Sequence, residues 1–154
     1  MKKIQIMGIL NVTPDSFFDG CGEDFKKKSY KIHNRLESDL LKADIIDVGG
    51  ESSRPGAKRI SYDEEIDRIS ILKNKIPLFE DKLFSIDTYK YEVARYALEN
   101  GYGMINDIYA GRYDSRIFEL SSDWSIPIIL MHMKGNPVNM QENTRYDSIV
   151  DNIM

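Results

Sequence analysis

Short apolar runs alternate with longer amphipathic stretches along the whole chain, and this order constrains the fold more than any other feature. Five runs rich in Ile, Val, Leu and Met are typical of buried strands, at 4–10, 44–48, 82–86, 103–105 and 126–131. The stretches after them have helical periodicity, at 29–42, 61–73, 88–100, 113–122 and 144–154. A repeated β-α unit predicts an α/β fold with a parallel sheet and right-handed crossovers.

Local signals place the helix ends. Ser61 and Glu64 have the spacing of a capping box, so a helix is expected to begin just after Ser61. Thr88 is the predicted N-cap of the next helix, and Gly101 is its predicted C-cap.

Composition excludes several classes of protein. The 154 residues contain no linker or low-complexity tract, so residues 1–154 are predicted to form a single domain. The net charge of −4 argues against nucleic acid, which favours a concentrated basic surface. The only cysteine, Cys21, excludes an internal disulfide and fits a reducing compartment such as the cytoplasm. No apolar run approaches the ~20 residues of a membrane span.

Hydrogen-bonding side chains lie at the end of every predicted strand. They are Asn11, Asp47, Glu51, Asp87, Asn106, Asp107 and His132. One such residue is usually a turn former or a helix cap, but five successive strands ending this way indicate a ligand-binding rim, because parallel strands end at the same edge of a sheet.

Metal and anion chemistry can be narrowed from the residue types present. Two His and one Cys are too few for a structural zinc site, whereas Mg²⁺ held by Asn11 and substrate phosphates remains open. The glycine-rich stretch at 49–56 contains Arg54 and two hydroxyl groups, which suit an anion. Cys21 has no neighbouring base or cation in sequence, so a nucleophilic role is not expected.

Two segments resemble the signature sequences of the dihydropteroate synthases: Ile9-Leu-Asn-Val-Thr-Pro-Asp-Ser-Phe17 and Ile45-Ile-Asp-Val-Gly-Gly-Glu-Ser-Ser-Arg-Pro-Gly-Ala57. The segments at 85–88, 105–107 and 130–137 match later blocks of that family in the same order. The resemblance implies a TIM (β/α)₈ barrel, of which this chain supplies about the first five β/α units. It also implies the folate-pathway reaction that joins 6-hydroxymethyl-7,8-dihydropterin diphosphate to p-aminobenzoate, the step that sulfonamides inhibit.

The resemblance further implies roles for individual residues. By this resemblance, the residues that bind the pterin are Asp87, Asn106, Ile108 and Met131. Those that bind the diphosphate are Asn11, Ser53 and Arg54, and Asn11 also binds Mg²⁺. The resemblance assigns the p-aminobenzoate pocket to Phe17 and Pro55, and catalysis to Asp19 and Arg54. The implied substrates are small molecules, with no nucleic-acid or membrane partner, and the full-length form is expected to be a cytoplasmic homodimer. Phe18, Cys21 and Ser53 depart from the family's usual residues.

The length of the chain leaves alternatives open. A complete barrel takes ~250 residues, so the chain is expected to be part of a longer synthase and inactive alone. Another pterin-binding barrel, such as a methyltetrahydrofolate corrinoid methyltransferase, shares the pterin pocket without the diphosphate-handling residues. A non-catalytic pterin-binding module, or two half-barrels that pair, would also fit the pattern.

Overall fold

Five parallel strands lie side by side in the order in which they occur in the chain. In the computed structural model, which describes residues 4–13, 25–52, 57–136, 139–140 and 144–153, the sheet has the order β1-β2-β3-β4-β5. The strands are β1 Met7–Asn11, β2 Ile45–Gly49, β3 Leu83–Asp87, β4 Met104–Asp107 and β5 Ile128–Leu130. The predicted parallel sheet is therefore confirmed.

A helix follows each strand in sequence. The helices are α1 Phe25–Glu37, α2 Tyr62–Ile69, α3 Tyr91–Glu99, α4 Arg116–Asp123 and α5 Ile149–Ile153. Two short 3₁₀ turns, Ser70–Leu72 and Ile76–Leu78, lie between α2 and β3.

The main apolar core lies between one face of the sheet and helices α1 to α4. Alternate strand residues point into it, because successive side chains of a strand face opposite sides. The strands contribute Leu10, Ile46, Val48, Phe84, Ile86 and Ile105, and the helices contribute Ile32, Leu36, Ile69, Val93, Ala97, Ile117 and Leu120. A doubly wound sheet reverses its strand order and has helices on both faces, whereas consecutive order with a core on one face is typical of a barrel.

The opposite face of the sheet, called the inner face below, is polar near the carboxyl ends of the strands. Asp47 and Ser85 are adjacent in register on β2 and β3, and both are buried. Ile9 on β1 and Ile129 on β5 lie toward the two edges of this face and are 60% and 37% exposed. The inner face therefore combines a buried polar centre with exposed apolar edges.

The observed helix ends confirm one predicted cap and correct other predictions, including the start of α5, which lies at Ile149 rather than at residue 144. Ser61 caps α2 as expected, since its side chain accepts a hydrogen bond from the Glu64 amide at 3.1 Å. Thr88 is not the N-cap of α3; the N-cap is Lys90, and the Thr88 hydroxyl accepts from the Lys90 amide at 3.3 Å. Helix α1 ends at Glu37 rather than at residue 42. Just after this end, the Ser38 hydroxyl donates a hydrogen bond to the Asn34 carbonyl at 2.7 Å. A serine that bonds to the backbone in this way competes with continued helix.

The end of α3 agrees with the sequence. Gly101 follows the C-cap Asn100 and has φ of +95°, a left-handed conformation that favours glycine. Its amide donates to the Leu98 carbonyl at 3.2 Å. The glycine therefore terminates the helix and turns the chain toward β4.

Candidate functional site

Four residues at the carboxyl ends of neighbouring strands form one row across the inner face, called the rim row below. Asn11 pairs with Gly49, Gly49 pairs with Asp87, and Asp87 pairs with Asn106 in the strand register. Register partners in a parallel sheet present their side chains to the same face. The structure thus brings together three of the predicted ligand-binding side chains.

The absence of a side chain at Gly49 lets two polar side chains approach each other in the middle of the rim row. A Cβ atom at this position would lie 3.1 Å from Asn11 Oδ1 and 3.4 Å from Asp87 Oδ2. The two oxygen atoms therefore converge on the space above the glycine backbone. The missing side chain makes a cradle between an amide oxygen and a carboxyl oxygen.

The surroundings of Asp87 favour its protonated form. Burial raises the pKa of Asp87 to about 7, and the nearby carboxylates of Asp47, Glu65, Asp107 and Glu51 add to the effect. Burial and like charges both disfavour the ionised carboxyl group. Strongly shifted acids in a polar recess are typical of functional sites.

A second row of polar residues lies deeper on the inner face. Asp47 Oδ2 accepts a hydrogen bond from Asn106 Nδ2 at 2.9 Å, so the two rows are connected. Asp47 Oδ1 and the Ser85 hydroxyl are buried and have no hydrogen-bond partner among the described residues. Buried polar atoms of this kind are rare in native proteins and suggest that a ligand, a water molecule or further protein satisfies them.

A buried ion-pair network, which we call the Lys90 network, lies beside the rim. Lys90 Nζ is 2.5 Å from Glu51 Oε2 and 2.6 Å from Glu65 Oε2, and it donates to the Ile60 carbonyl at 2.9 Å. The Tyr89 hydroxyl donates to Glu51 Oε1 at 2.7 Å, and burial, followed by this bond, raises the pKa of Tyr89. The network connects the loop after β2 to α2 and to the start of α3.

Sequence reasoning identified Glu51 but missed the other two charged members of the network. Glu65 is only 1% exposed, and Lys90 is also buried. One signal was available: Glu65 stands four residues before the buried Ile69, so both residues lie on the same face of α2. Nothing in the pattern around Lys90 marks it as buried.

An aromatic group surrounds Arg59 at the same end of the sheet. The Arg59 guanidinium donates to the Tyr109 hydroxyl at 2.6 Å and lies 5.5–5.8 Å from the ring centres of Tyr89, Tyr109 and Tyr113. Tyr89 and Tyr109 stack edge to face with their ring centres 4.8 Å apart. These contacts are typical of favourable cation–π and aromatic pairing.

Two predicted pterin contacts lie within a small apolar cluster at this end of the sheet. Ile108 and Met131 are partly buried against Tyr89, Tyr109 and Met133. Aliphatic and thioether side chains next to polar groups are the usual walls of a pocket for a flat, polar-edged ligand.

Two residues of the expected rim have other surroundings. Asp107 belongs to the strand positions that face the helices, and its carboxylate accepts from the Tyr109 amide at 2.8 Å and the Gly111 amide at 2.6 Å. It therefore stabilises the turn after β4. His132 is exposed, and its Nε2 lies 3.2 Å from the Tyr146 hydroxyl.

Several expected site residues lie outside the described residues, so the structure gives no position for them. They are Phe17, Asp19, Cys21, Ser53, Arg54 and Pro55. Within the described ranges, no three His, Cys, Asp or Glu side chains group closely enough to hold a metal ion. None of the described helices is long and apolar enough to cross a membrane.

Comparison with known proteins agrees with this architecture. Residues 7–154 match the sequence model of the family described as pterin binding enzyme. A dihydropteroate synthase of Streptococcus pyogenes serotype M1 is 48% identical over 133 residues, which cover 86% of this chain and 49% of that protein. The chain spans about half the length of the curated synthases it matches.

Solved structures show the same similarity in three dimensions. The dihydropteroate synthase of Clostridium difficile, determined in the presence of pteroic acid, is 38% identical with a TM-score of 0.81, over 97% of this chain and 54% of that chain. The enzyme of Xanthomonas albilineans with 4-aminobenzoic acid is 36% identical with a TM-score of 0.77, over 97% of this chain and 51% of that chain. These matches confirm the predicted fold, with five β/α units that correspond to about half of a TIM barrel. The chain belongs to the pterin-binding enzyme family, and it corresponds to about half of a dihydropteroate synthase barrel.

Proposed function

We propose that this chain provides the pterin-binding end of a dihydropteroate synthase. The reaction would join 6-hydroxymethyl-7,8-dihydropterin diphosphate to p-aminobenzoate, giving 7,8-dihydropteroate and diphosphate. The observation that carries this proposal is the rim row, in which Asn11, Asp87 and Asn106 face one recess around Gly49.

The chemistry of the rim row suits a pterin. The pyrimidine edge of a pterin presents adjacent N–H donors and acceptors, which complement the carboxyl group of Asp87 and the amide of Asn106. A heterocycle with a different edge would leave these groups unpaired, which is a large penalty in a buried site. Ile108 and Met131 would contact the faces of the ring, as their position in the apolar cluster supports.

The remaining assignments rest on the family resemblance. Ser53 and Arg54 would bind the diphosphate, and Phe17 and Pro55 would line the p-aminobenzoate pocket. The C–O bond between the pterin methylene and diphosphate would break first, with its electron pair leaving on the diphosphate. Asp19 would stabilise the methylene cation until the arylamine nitrogen forms the C–N bond and loses a proton.

A magnesium ion fits the donor set of the rim row. Asn11 Oδ1 and Asp87 Oδ2 both border the cradle above Gly49, and Mg²⁺ prefers oxygen ligands and needs few from the protein when phosphates supply the rest. Asn11 would hold the ion together with the diphosphate. When bound, Mg²⁺ supplies charge that favours departure of the diphosphate.

Two further features belong to the proposal. Homodimer formation by the full-length form follows from the family resemblance alone. Cytoplasmic location is supported by the single cysteine, which is usual in a reducing compartment.

The proposal is tested by titrating pterin into the whole chain and into Asp87→Asn. We expect the variant to bind at least about tenfold more weakly, since one charge-assisted contact is lost. Asp123→Asn, at an exposed position at the end of α4, is the matched control and should bind as the wild type does. Equal affinity in Asp87→Asn would contradict the proposal.

A coupled assay for diphosphate release with both substrates then separates a synthase from a module that only binds pterin.

A further inference from the structure

Asp47 makes a contact that the proposed reaction does not use. Its Oδ2 accepts from Asn106 Nδ2 at 2.9 Å, and the residue is 4% exposed. Its other oxygen has no hydrogen-bond partner among the described residues. Burying a carboxyl group with so few partners is destabilising, and a buried polar atom left without a partner is a candidate for a role in the site.

The contact determines which way the Asn106 carboxamide faces. In the observed orientation an N–H of Asn106 points to the Asp47 carboxyl group. A flipped amide would set its oxygen against Asp47 Oδ2, so that two acceptors would face each other. The carboxyl group therefore favours one of two orientations that are nearly identical in shape.

We propose that Asp47 is a positioning residue that fixes the order of donor and acceptor that Asn106 presents to the ligand. This inference rests on the proposed function, since it concerns recognition of the pterin edge. With one N–H held by Asp47, Asn106 keeps its Oδ1 and its second N–H for the ligand. That arrangement matches an edge in which a ring nitrogen acceptor stands next to an amino donor.

The orientation of the Asn106 carboxamide determines which of two similar ligands the site prefers. Pterin presents a ring nitrogen acceptor beside an exocyclic amino group, whereas lumazine presents a ring N–H beside a carbonyl at the same two positions. The two molecules are close in size and shape, so the preference between them reports the orientation of the carboxamide. A site with a fixed amide should bind pterin at least about tenfold more tightly than lumazine.

The test measures the affinities of pterin and lumazine for the wild-type chain and for Asp47→Asn. The introduced carboxamide could donate to the Asn106 oxygen or accept from its nitrogen, so both orientations of Asn106 become possible. We expect the preference for pterin to fall to about twofold or less. Asp123→Asn makes the same chemical change at an exposed position at the end of α4, away from the inner face, and as the control it should keep the preference. An unchanged ratio in Asp47→Asn would overturn the inference while leaving the proposed pterin site intact.

A second measurement needs neither a variant nor a ligand. In the ¹⁵N-labelled wild-type chain, the side-chain amide protons of Asn106 should exchange with solvent more slowly than those of the exposed Asn34. Exchange as fast as at Asn34 would show that Asp47 does not hold the amide. If the wild type binds neither molecule, the proposed function fails, and the exchange rate still decides whether Asp47 positions Asn106.

Discussion

Asp87, the proposed pterin ligand, illustrates how a residue placed for binding lowers the stability of the free chain. Burial and four neighbouring carboxylates raise the pKa of this carboxyl group to about 7, well above its usual value. Ionising this group therefore costs more in the folded chain than in the unfolded one, so the ionised carboxylate lowers the stability of the free chain above about pH 7. A ligand that donates hydrogen bonds to the carboxylate would relieve that penalty.

Replacing Asp87 by Asn should stabilise the free chain in a pH-dependent way. The folded-state pKa lies above the unfolded one, so the folded wild type gains protons and stability as pH falls, and loses stability as pH rises toward 7. We expect Asp87→Asn to raise the free energy of unfolding at pH 8 by about 2 kcal/mol, with a smaller gain at pH 5. Urea unfolding at both pH values measures the difference. An equal change at the two values would contradict the assigned cause.

Gly49 should matter for binding more than for stability. The Cβ of Gly49→Ala would lie 3.1 Å from Asn11 Oδ1, which is close enough to push the amide away from its position beside Asp87. We expect at least about tenfold weaker binding of pterin diphosphate, because about 1.4 kcal/mol of lost contact already gives that factor. Calorimetry measures the affinity, and a melting temperature near that of the wild type shows that the sheet is intact. Wild-type affinity would refute the importance of the cradle.

At the scale of secondary-structure elements, the Lys90 network connects the segments that border the candidate site. It connects the loop after β2 to the first turn of α2 and to the start of α3. Gly50 permits the same close approach, since a Cβ there would lie 2.9 Å from Glu65 Cγ and 3.2 Å from the Glu65 carbonyl oxygen. The position of α2 against the rim thus depends on both a charge and a missing side chain.

Removing the Lys90 charge should be strongly destabilising. Lys90→Met would leave Glu51 and Glu65 buried without a cation, and we expect a loss of about 3–5 kcal/mol in the free energy of unfolding. Lys58→Met removes a lysine at an exposed position and is the control. Adding Glu65→Gln to Lys90→Met should restore part of the loss, since one stranded charge is then absent. Urea denaturation of the four proteins gives the comparison, and a loss below about 1 kcal/mol would contradict the proposed role.

The elements differed in how well the sequence predicted them. Apolar spacing identified the buried stripes correctly, since Ile32 and Leu36 in α1 and Val93 and Ala97 in α3 all lie in the core. The predicted N-cap of α3 was wrong, because the helix begins only after Lys90, which has an extended backbone and a side chain bound in the Lys90 network. Periodicity reports burial along one element, whereas such a network depends on contacts between elements.

The same distinction applies to the candidate site. The rim residues Asn11, Asp87 and Asn106 were predictable, because strand ends in a parallel sheet converge and the motifs fix their order. The hydrogen bond from Asn106 to Asp47 could not be predicted from the sequence, because it links residues 59 positions apart on non-adjacent strands. Only the register of three strands shows that these side chains meet.

At the scale of the whole molecule, the described sheet has two free edges. Strand β1 pairs only with β2, and β5 pairs only with β4, among the described residues. Several apolar side chains near these edges and on α5 are exposed, including Ile9, Leu130 and Val150. In a closed barrel, further strands cover such edges and the apolar surface beside them.

The chain on its own should therefore self-associate. Sedimentation velocity over a range of concentrations should show a rising average mass, because open edges and exposed apolar groups favour pairing between chains. Replacing Ile9 and Ile129 with Ser should weaken the association. A monomer at every concentration, with a cooperative thermal transition, would contradict this expectation.

The most direct test of the account is where a pterin binds on this chain. In ¹⁵N-labelled protein, added pterin should shift the backbone amides of Asn11, Gly49, Asp87 and Asn106, which form the rim row. The amides of Leu36 and Ile117, which lie on the opposite side of the sheet in the helical layer, should not move. Shifts confined to the helical layer, or no shifts at a saturating pterin concentration, would contradict the claim that the carboxyl ends of the first four strands bind a pterin.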